Sequence, residues 1–198
     1  MIVLASQSPR RKEILRKILG NDDFLTVPSS FDERTIRDDD CYSLCLTLSE
    51  RKASSVSLLY PKDFVVGSDT MVLFRGEELG KPKDRDDAFR MLSSLQGSVH
   101  KVITSYSILK NSKVLKQKTT EASLYIYPMS VSRINEYIDT GSPFDKAGAY
   151  GIQDVEYISS EIVSGDRYII MGLPYGQLKD DLAKVGAIPS LHNQKRPR

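Results

Sequence analysis

Histidine is scarce in this chain, with His100 and His192 the only two among 198 residues. Two scattered imidazoles exclude a His-rich metal centre and make no convincing Ser-His-Asp triad. His100, beside a strand in GSVHKV, reads as structural. Cysteine is equally scarce: Cys41 and Cys45 lie four apart in an amphipathic stretch. On one helix they would share a face, where a disulfide is sterically disfavoured, so they read as reduced thiols on or near the core. No CxxC or Cys/His cluster points to zinc. GxxxxGK[ST] does not occur and no GxGxxG follows a strand, which leaves the P-loop and the dinucleotide-binding fold without support. Long apolar runs are absent as well. The apolar stretch that opens MIVLASQSPRRKE is too short for a signal-peptide core, and nothing approaches a membrane span. The expectation is a cytoplasmic protein with no membrane partner. A net charge of only +2 means that any affinity for phosphate must come from local clusters of Lys and Arg, and nucleic acid is not the expected partner.

What remains is an ordinary soluble composition, 40% apolar and 27% charged. The length suits one large domain or two small lobes sharing a core. Residues 1–190 read as that domain and 191–198 as a basic, frayed tail. Ile2 to Ala5 reads as a buried strand. Ser8 and Pro9 then supply an N-cap and a first helical residue, and Gly20 ends the helix. Strands are expected at Phe24–Val27 and Phe64–Phe74, and helices at Tyr42–Leu59 and Asp86–Leu95, the latter behind an Asp84/Asp87 capping box. Val99–Leu109 and Val114–Tyr127 read as a hairpin turning at Asn111-Ser112. Ser130 caps a helix that ends near Gly141. Strands at Tyr157–Val163 and Tyr168–Met171 and a helix from Pro174 to Val185 complete the reading. The interleaving, broken by a long hairpin, predicts an α/β fold with a mixed sheet and flanking helices.

Four segments carry chemistry-bearing residues. In LASQSPRR a strand runs into a helix N-terminus, whose N–H groups and dipole favour anions. Ser6 and Ser8 add hydroxyls there, and Arg10 and Arg11 add two guanidiniums where the dipole disfavours positive charge. Either these arginines are merely solvated or an anion offsets them. In FVVGSDTMVLF a polar GSDT interrupts an apolar strand. Asp69 is costly to bury without a partner or a metal, and alternation puts it on the face of Gly67, where a missing side chain leaves room for a ligand. The plainer reading is a bend with Asp69 in a loop hydrogen bond. Lys81 in GKPKD follows by a short connection. In DKAGAYGIQ small residues let backbone approach something flat, and Gln153 offers a donor and an acceptor to a base edge; a packed turn explains the same residues. Taken alone, Lys52 reads as solvent-facing, and Asp32 and Glu33 as plain surface residues. Together, hydroxyls, cations and carboxylates without a thiol or imidazole nucleophile form the inventory of metal-assisted phosphoryl chemistry.

LASQSPRR, FDE ending at Glu33, the KA at Lys52, GSDT, GKP, GSVHKVIT, DKAGAYGIQ and MGLP occur in that order between Ile2 and about Val185. In this the chain resembles the Maf family of nucleoside triphosphate pyrophosphatases. The resemblance implies a strongly twisted mixed sheet with two lobes around a central cleft, as in inosine triphosphatases. It implies hydrolysis between the α and β phosphates with a divalent cation, Mg²⁺ or Mn²⁺, and makes a homodimer plausible. Asp69 matches the family's general base and, with Glu33, a metal-binding pair. Ser8, Arg10, Arg11, Lys52 and Lys81 match phosphate- and substrate-binding positions. Arg11, Thr70 and Gln153 match positions linked to substrate choice. Thr70 with Gln153 resembles the subgroup acting on dTTP, UTP and modified pyrimidine nucleotides, which keeps non-canonical nucleotides out of nucleic acid; a further role in arresting cell division would be secondary. The 7-methyl-GTP subgroup tends to carry Gln and Glu at those two places. The main alternative is a non-catalytic regulator of septum formation that binds nucleic acid or a partner protein.

Overall fold

The computed structural model describes residues 1–189; the basic tail at 191–198 lies outside them. Ile2–Leu4 (β1) is a three-residue apolar strand, buried throughout, that pairs in parallel with both Phe24–Thr26 (β2) and Phe64–Phe74 (β3). The segment between β1 and β2 is Pro9–Leu19 (α1), capped by Ser8 and ended by Gly20 in the left-handed conformation. Cys41–Ser57 (α2) begins where the Asp40 carboxylate accepts from the N–H groups of Tyr42 and Ser43. After β3, Arg75 and Gly76, both at positive φ, turn the chain into Glu77–Leu79 (β4), which pairs antiparallel with β3. The charged stretch GEEL hides this strand in the sequence.

Arg85–Leu95 (α3) opens as expected, with the Asp84 side chain accepting from Asp87 N–H at 2.8 Å. The reciprocal bond is displaced by one residue: Asp87 accepts from Lys83 N–H rather than from the cap. Ser98–Lys110 (β5) and Lys113–Ile126 (β6) meet at Asn111-Ser112, both at positive φ as a two-residue hairpin turn requires. Val131–Asp139 (α4) follows its Ser130 cap. Ser160–Ser164 (β7) starts three residues later than Tyr157 because Tyr157 leaves the sheet and stacks on Tyr137. Tyr168–Met171, expected as a strand, belongs instead to a short helix, Arg167–Met171 (α5). An apolar run of four cannot reveal its period, and Asp166 decides it by capping the N–H groups of Tyr168 and Ile169. Tyr175–Lys184 (α6) closes the described chain.

The seven strands form one mixed sheet in the order β2-β1-β3-β5-β6-β7, with β4 attached to β3. The chain divides into two compact units. Unit 1 comprises residues 1–69, 105–119 and 172 onward, and unit 2 comprises 70–104 and 120–171. Each has a core of its own. In unit 1, Val3, Ala5 and Val65 pack with Ala53 and Val56 of α2 and with Leu109. In unit 2, Leu92 and Leu95 of α3 and Ile134 and Tyr137 of α4 pack with Val102, Leu124 and Ile126. Among the described residues no helix is long and apolar enough to cross a membrane.

Candidate active site

Strand β3 runs unbroken through GSDT, so the bend is excluded. Strand alternation turns Gly67 and Asp69 toward α2. The space above Gly67 is not left for a ligand, contrary to expectation. A Cβ there would stand 2.3 Å from Ser49 O and 2.7 Å from Ala53 N, so the backbone of α2 itself fills the gap. That close approach brings Lys52 of α2 over Asp69. Lys52 Nζ donates to Asp69 Oδ1 at 2.5 Å and lies 2.9 Å from Glu33 Oε1. The Lys52 and Asp69 side chains are 11% and 9% exposed, whereas Glu33, on a short 3-10 turn, is 54% exposed. The solvent-facing reading of Lys52 is therefore overturned: it is the nearly buried hub of two carboxylates. An unpaired carboxylate at Asp69 would carry a large desolvation cost, which the ammonium offsets.

LASQSPRR meets this hub from another side. Ser8 N–H donates to Ser6 Oγ at 3.1 Å, and Ser8 Oγ accepts weakly from Arg11 N–H at 3.5 Å. Arg10 is half-buried in the first turn of α1. The Arg11 guanidinium donates through Nε to Gly172 O and through Nη1 to Ser68 O, both at 2.9 Å. Two main-chain carbonyls thus offset the charge that opposes the helix dipole. Burial lowers the Arg11 pKa, and the charge of Asp69 works against that shift. Ser68 Oγ, 2.8 Å from the carbonyls of both Ser105 and Gly172, ties the same strand to MGLP. Sequence alone marks neither Ser68 nor Gly172 as functional beyond the glycine of MGLP, which takes φ 98° here. The Cys45 thiol donates to Asp69 O at 3.4 Å, and burial together with the Asp69 charge pushes its pKa up to about 12. It is a protonated backing group for the strand, not a nucleophile.

The donor set fits a divalent cation. Glu33 and Asp69 converge on one positively charged atom, Lys52 Nζ. Mg²⁺ and Mn²⁺ typically take one or two carboxylates and complete their shell with water and substrate phosphates. Among the described residues no group of three or more His, Cys, Asp or Glu forms a closed protein cage.

Arg11, Glu33, Lys52 and Asp69 thus come together in unit 1, with Ser8 and Arg10 at the start of α1. Thr70, Lys81 and Gln153 belong to unit 2. Thr70 Oγ1 is 3.1 Å from Thr104 Oγ1, which donates to Ile169 O at 2.7 Å. Lys81 is exposed, beside buried Pro82, and the loop holding it is joined to DKAGAYGIQ by a bond from Gly148 N–H to Gly80 O at 3.0 Å. Gly148 takes the plainer reading given above: at φ 70°, a Cβ on it would press on Val72. Gln153 is half-buried, with its amide folded over Gly151. His100 lies in the unit 2 core, Nε2 2.6 Å from Tyr150 Oη, and burial lowers its pKa to about 4. That is the structural role expected of it.

Known proteins match this chain over almost its whole length. The family model described as Maf-like protein matches residues 1–185. A dTTP/UTP pyrophosphatase of Pyrococcus horikoshii is 40% identical over 96% of this chain and 98% of its own. A dTTP/UTP pyrophosphatase of Fusobacterium nucleatum is 39% identical over 93% of this chain and 95% of its own. Among solved structures, a HAM1 protein from Coxiella burnetii covers 94% of this chain and 98% of its own at 11% identity and a TM-score of 0.46.

Proposed function

Because this chain belongs to the Maf-like protein family, we propose that it is a nucleoside triphosphate pyrophosphatase that hydrolyses dTTP and UTP to the monophosphate and pyrophosphate. The observation that carries this reading is the nearly buried Lys52 ammonium joining Asp69 to Glu33 beside the Arg11 guanidinium. Such a cluster concentrates both signs of charge where phosphoryl transfer needs them.

In the proposed reaction, a water oxygen forms a bond to the α-phosphorus. The bond from that phosphorus to the oxygen bridging to the β-phosphate breaks, and pyrophosphate leaves with the electron pair. Asp69 accepts the proton of the attacking water. Glu33 and Asp69 would hold a divalent cation, Mg²⁺ or Mn²⁺, which when bound supplies Lewis-acid neutralisation of the phosphates and a more acidic water. Lys52 and Arg11 face the charge that builds on the leaving group, with Ser8, Arg10 and Lys81 as further phosphate contacts. Thr70, Gln153 and Arg11 select the base. Supporting this reading, the relatives named above carry the dTTP/UTP pyrophosphatase name along nearly their full lengths.

The deciding assay measures pyrophosphate release from a panel of nucleoside triphosphates with Mg²⁺ or Mn²⁺, extended to pseudo-UTP, 5-methyl-UTP and 5-methyl-CTP. Release from dTTP and UTP ahead of purine nucleotides is expected. No release from any nucleotide would return the chain to the binding-protein reading, which no observation here favours.

A further inference from the structure

One partly buried polar cluster of unit 2 has no part in the chemistry above. The turn Gly151–Asp154 is closed by a bond from Asp154 N–H to Gly151 O at 3.0 Å. Tyr137 grips both ends of it: Tyr137 Oη accepts from Gly151 N–H at 3.1 Å and donates to Asp154 Oδ2 at 2.5 Å. Ser142 Oγ donates to the same carboxylate oxygen at 3.0 Å. Lys146 Nζ, 7% exposed, lies 3.6 Å from that oxygen, 2.8 Å from Asp145 Oδ1 and 2.8 Å from Ser142 Oγ. Burial and the bond to Asp154 raise the Tyr137 pKa well above the usual phenol value, so its hydroxyl remains a donor. This is a large polar investment in a four-residue turn.

Gln153 rides on that turn. Gly151 is buried, and an ideal Cβ on it would stand 2.4 Å from Gln153 Nε2, 2.8 Å from Gln153 Cδ and 2.8 Å from Asp154 Oδ2. The collision is with side-chain ends and not with backbone. Nor is Gly151 among the glycines at positive φ, so alanine suits its backbone conformation. The space left by glycine at this place is filled by the Gln153 carboxamide and, beside it, by the Asp154 carboxylate that Tyr137 grips.

We propose that Gly151 is a specificity-determining residue whose missing side chain forms the seat of the Gln153 carboxamide, with Tyr137 and Asp154 as positioning residues that hold the seat. The inference rests on the role proposed above for Gln153 in selecting the base. A site that reads a base edge by hydrogen bonds discriminates only if the amide is held in place beforehand.

The test is a double-mutant cycle of wild type, Gly151→Ala, Gln153→Ala and the pair, with Tyr137→Phe as a second probe that keeps the ring. Pyrophosphate release is measured with UTP, dTTP, CTP and GTP, and affinity for α,β-methylene-UTP by calorimetry. Gly151→Ala is expected to raise KM for UTP and dTTP about tenfold, roughly one hydrogen bond's worth, and to change kcat less than about threefold. On the Gln153→Ala background it should add a clearly smaller loss, from the remaining contact with Asp154 alone. Tyr137→Phe should shift selectivity in the same direction. Equal losses in both backgrounds, or equal losses across all nucleotides, overturn the proposal. A wild type that binds the methylene analogue but releases no pyrophosphate overturns the reaction alone, and the cycle is then decided on calorimetric affinities. A wild type that binds no nucleotide overturns both.

Discussion

The two groups of site residues differ in kind. In unit 1, Arg11, Glu33, Lys52 and Asp69 are all ionisable, and two of them are nearly buried. In unit 2, Thr70, Gln153 and Gly151 are neutral, held by hydroxyls, a peptide N–H and shape. Charges suit phosphate, which every nucleotide shares, and amides and hydroxyls suit base edges, which differ; Arg11 and Lys81 cross the division, the one proposed for selection from unit 1 and the other for phosphate from unit 2. On the roles proposed above, the contrast runs between groups suited to catalysis and groups suited to choice.

The largest expected effect breaks the charged group. Asp69→Asn keeps the shape but removes a proton acceptor and an anionic ligand, so kcat should fall about 10²–10⁴-fold. The fall should be equal for dTTP, UTP and every other nucleotide turned over. Near-normal turnover in a stopped assay would remove Asp69 from the chemistry, and a loss confined to some nucleotides would blur the contrast. Gly67→Ala comes next. The new methyl group meets the backbone of α2, which cannot give way as a side-chain end can, so a loss of about 3 kcal/mol is expected in urea unfolding. Activity should fall with it, because the same contact sets Lys52 over Asp69. Gln153→Ala should do the opposite, changing KM unequally across the nucleotide panel, by about tenfold for the best substrates, while leaving the unfolding midpoint unchanged.

A further effect, on stability alone, concerns pH. His100 has a folded-state pKa of about 4, below its ordinary value of 6.5. The unfolded chain therefore binds the proton first, and stability is complete above pH 6.5 and is lost as pH falls toward 4. His100→Gln should flatten that part of a plot of unfolding free energy against pH. An unchanged slope would show that folding does not shift the imidazole's pKa and would remove the burial argument.

Local signals were legible where one or two residues decide a conformation. Ser8-Pro9 starts a helix and Asn111-Ser112 turns a hairpin whatever surrounds them. The run Tyr168–Met171 was not legible as a helix, because the deciding group is a single cap, Asp166, just outside it. The site divides in the same way. Asp69 stood out because an acid inside an apolar strand is costly. Lys52 did not, since its burial depends on a helix docking against Gly67, fifteen residues on in sequence, a fact that no local pattern contains. Family resemblance supplied that position; packing explains it.

Asp69 and Thr70 are neighbours on one uninterrupted strand. Successive side chains of a strand leave by opposite faces, so the residue proposed for catalysis and one proposed for selection are insulated from each other by the pleat itself. Substitution at position 70 can therefore be explored without disturbing its neighbour's partners. An inserted or deleted residue in the same strand would exchange the two faces at a stroke. A point change at position 70 thus leaves Asp69 on its own face of β3, whereas a change in the strand's length does not.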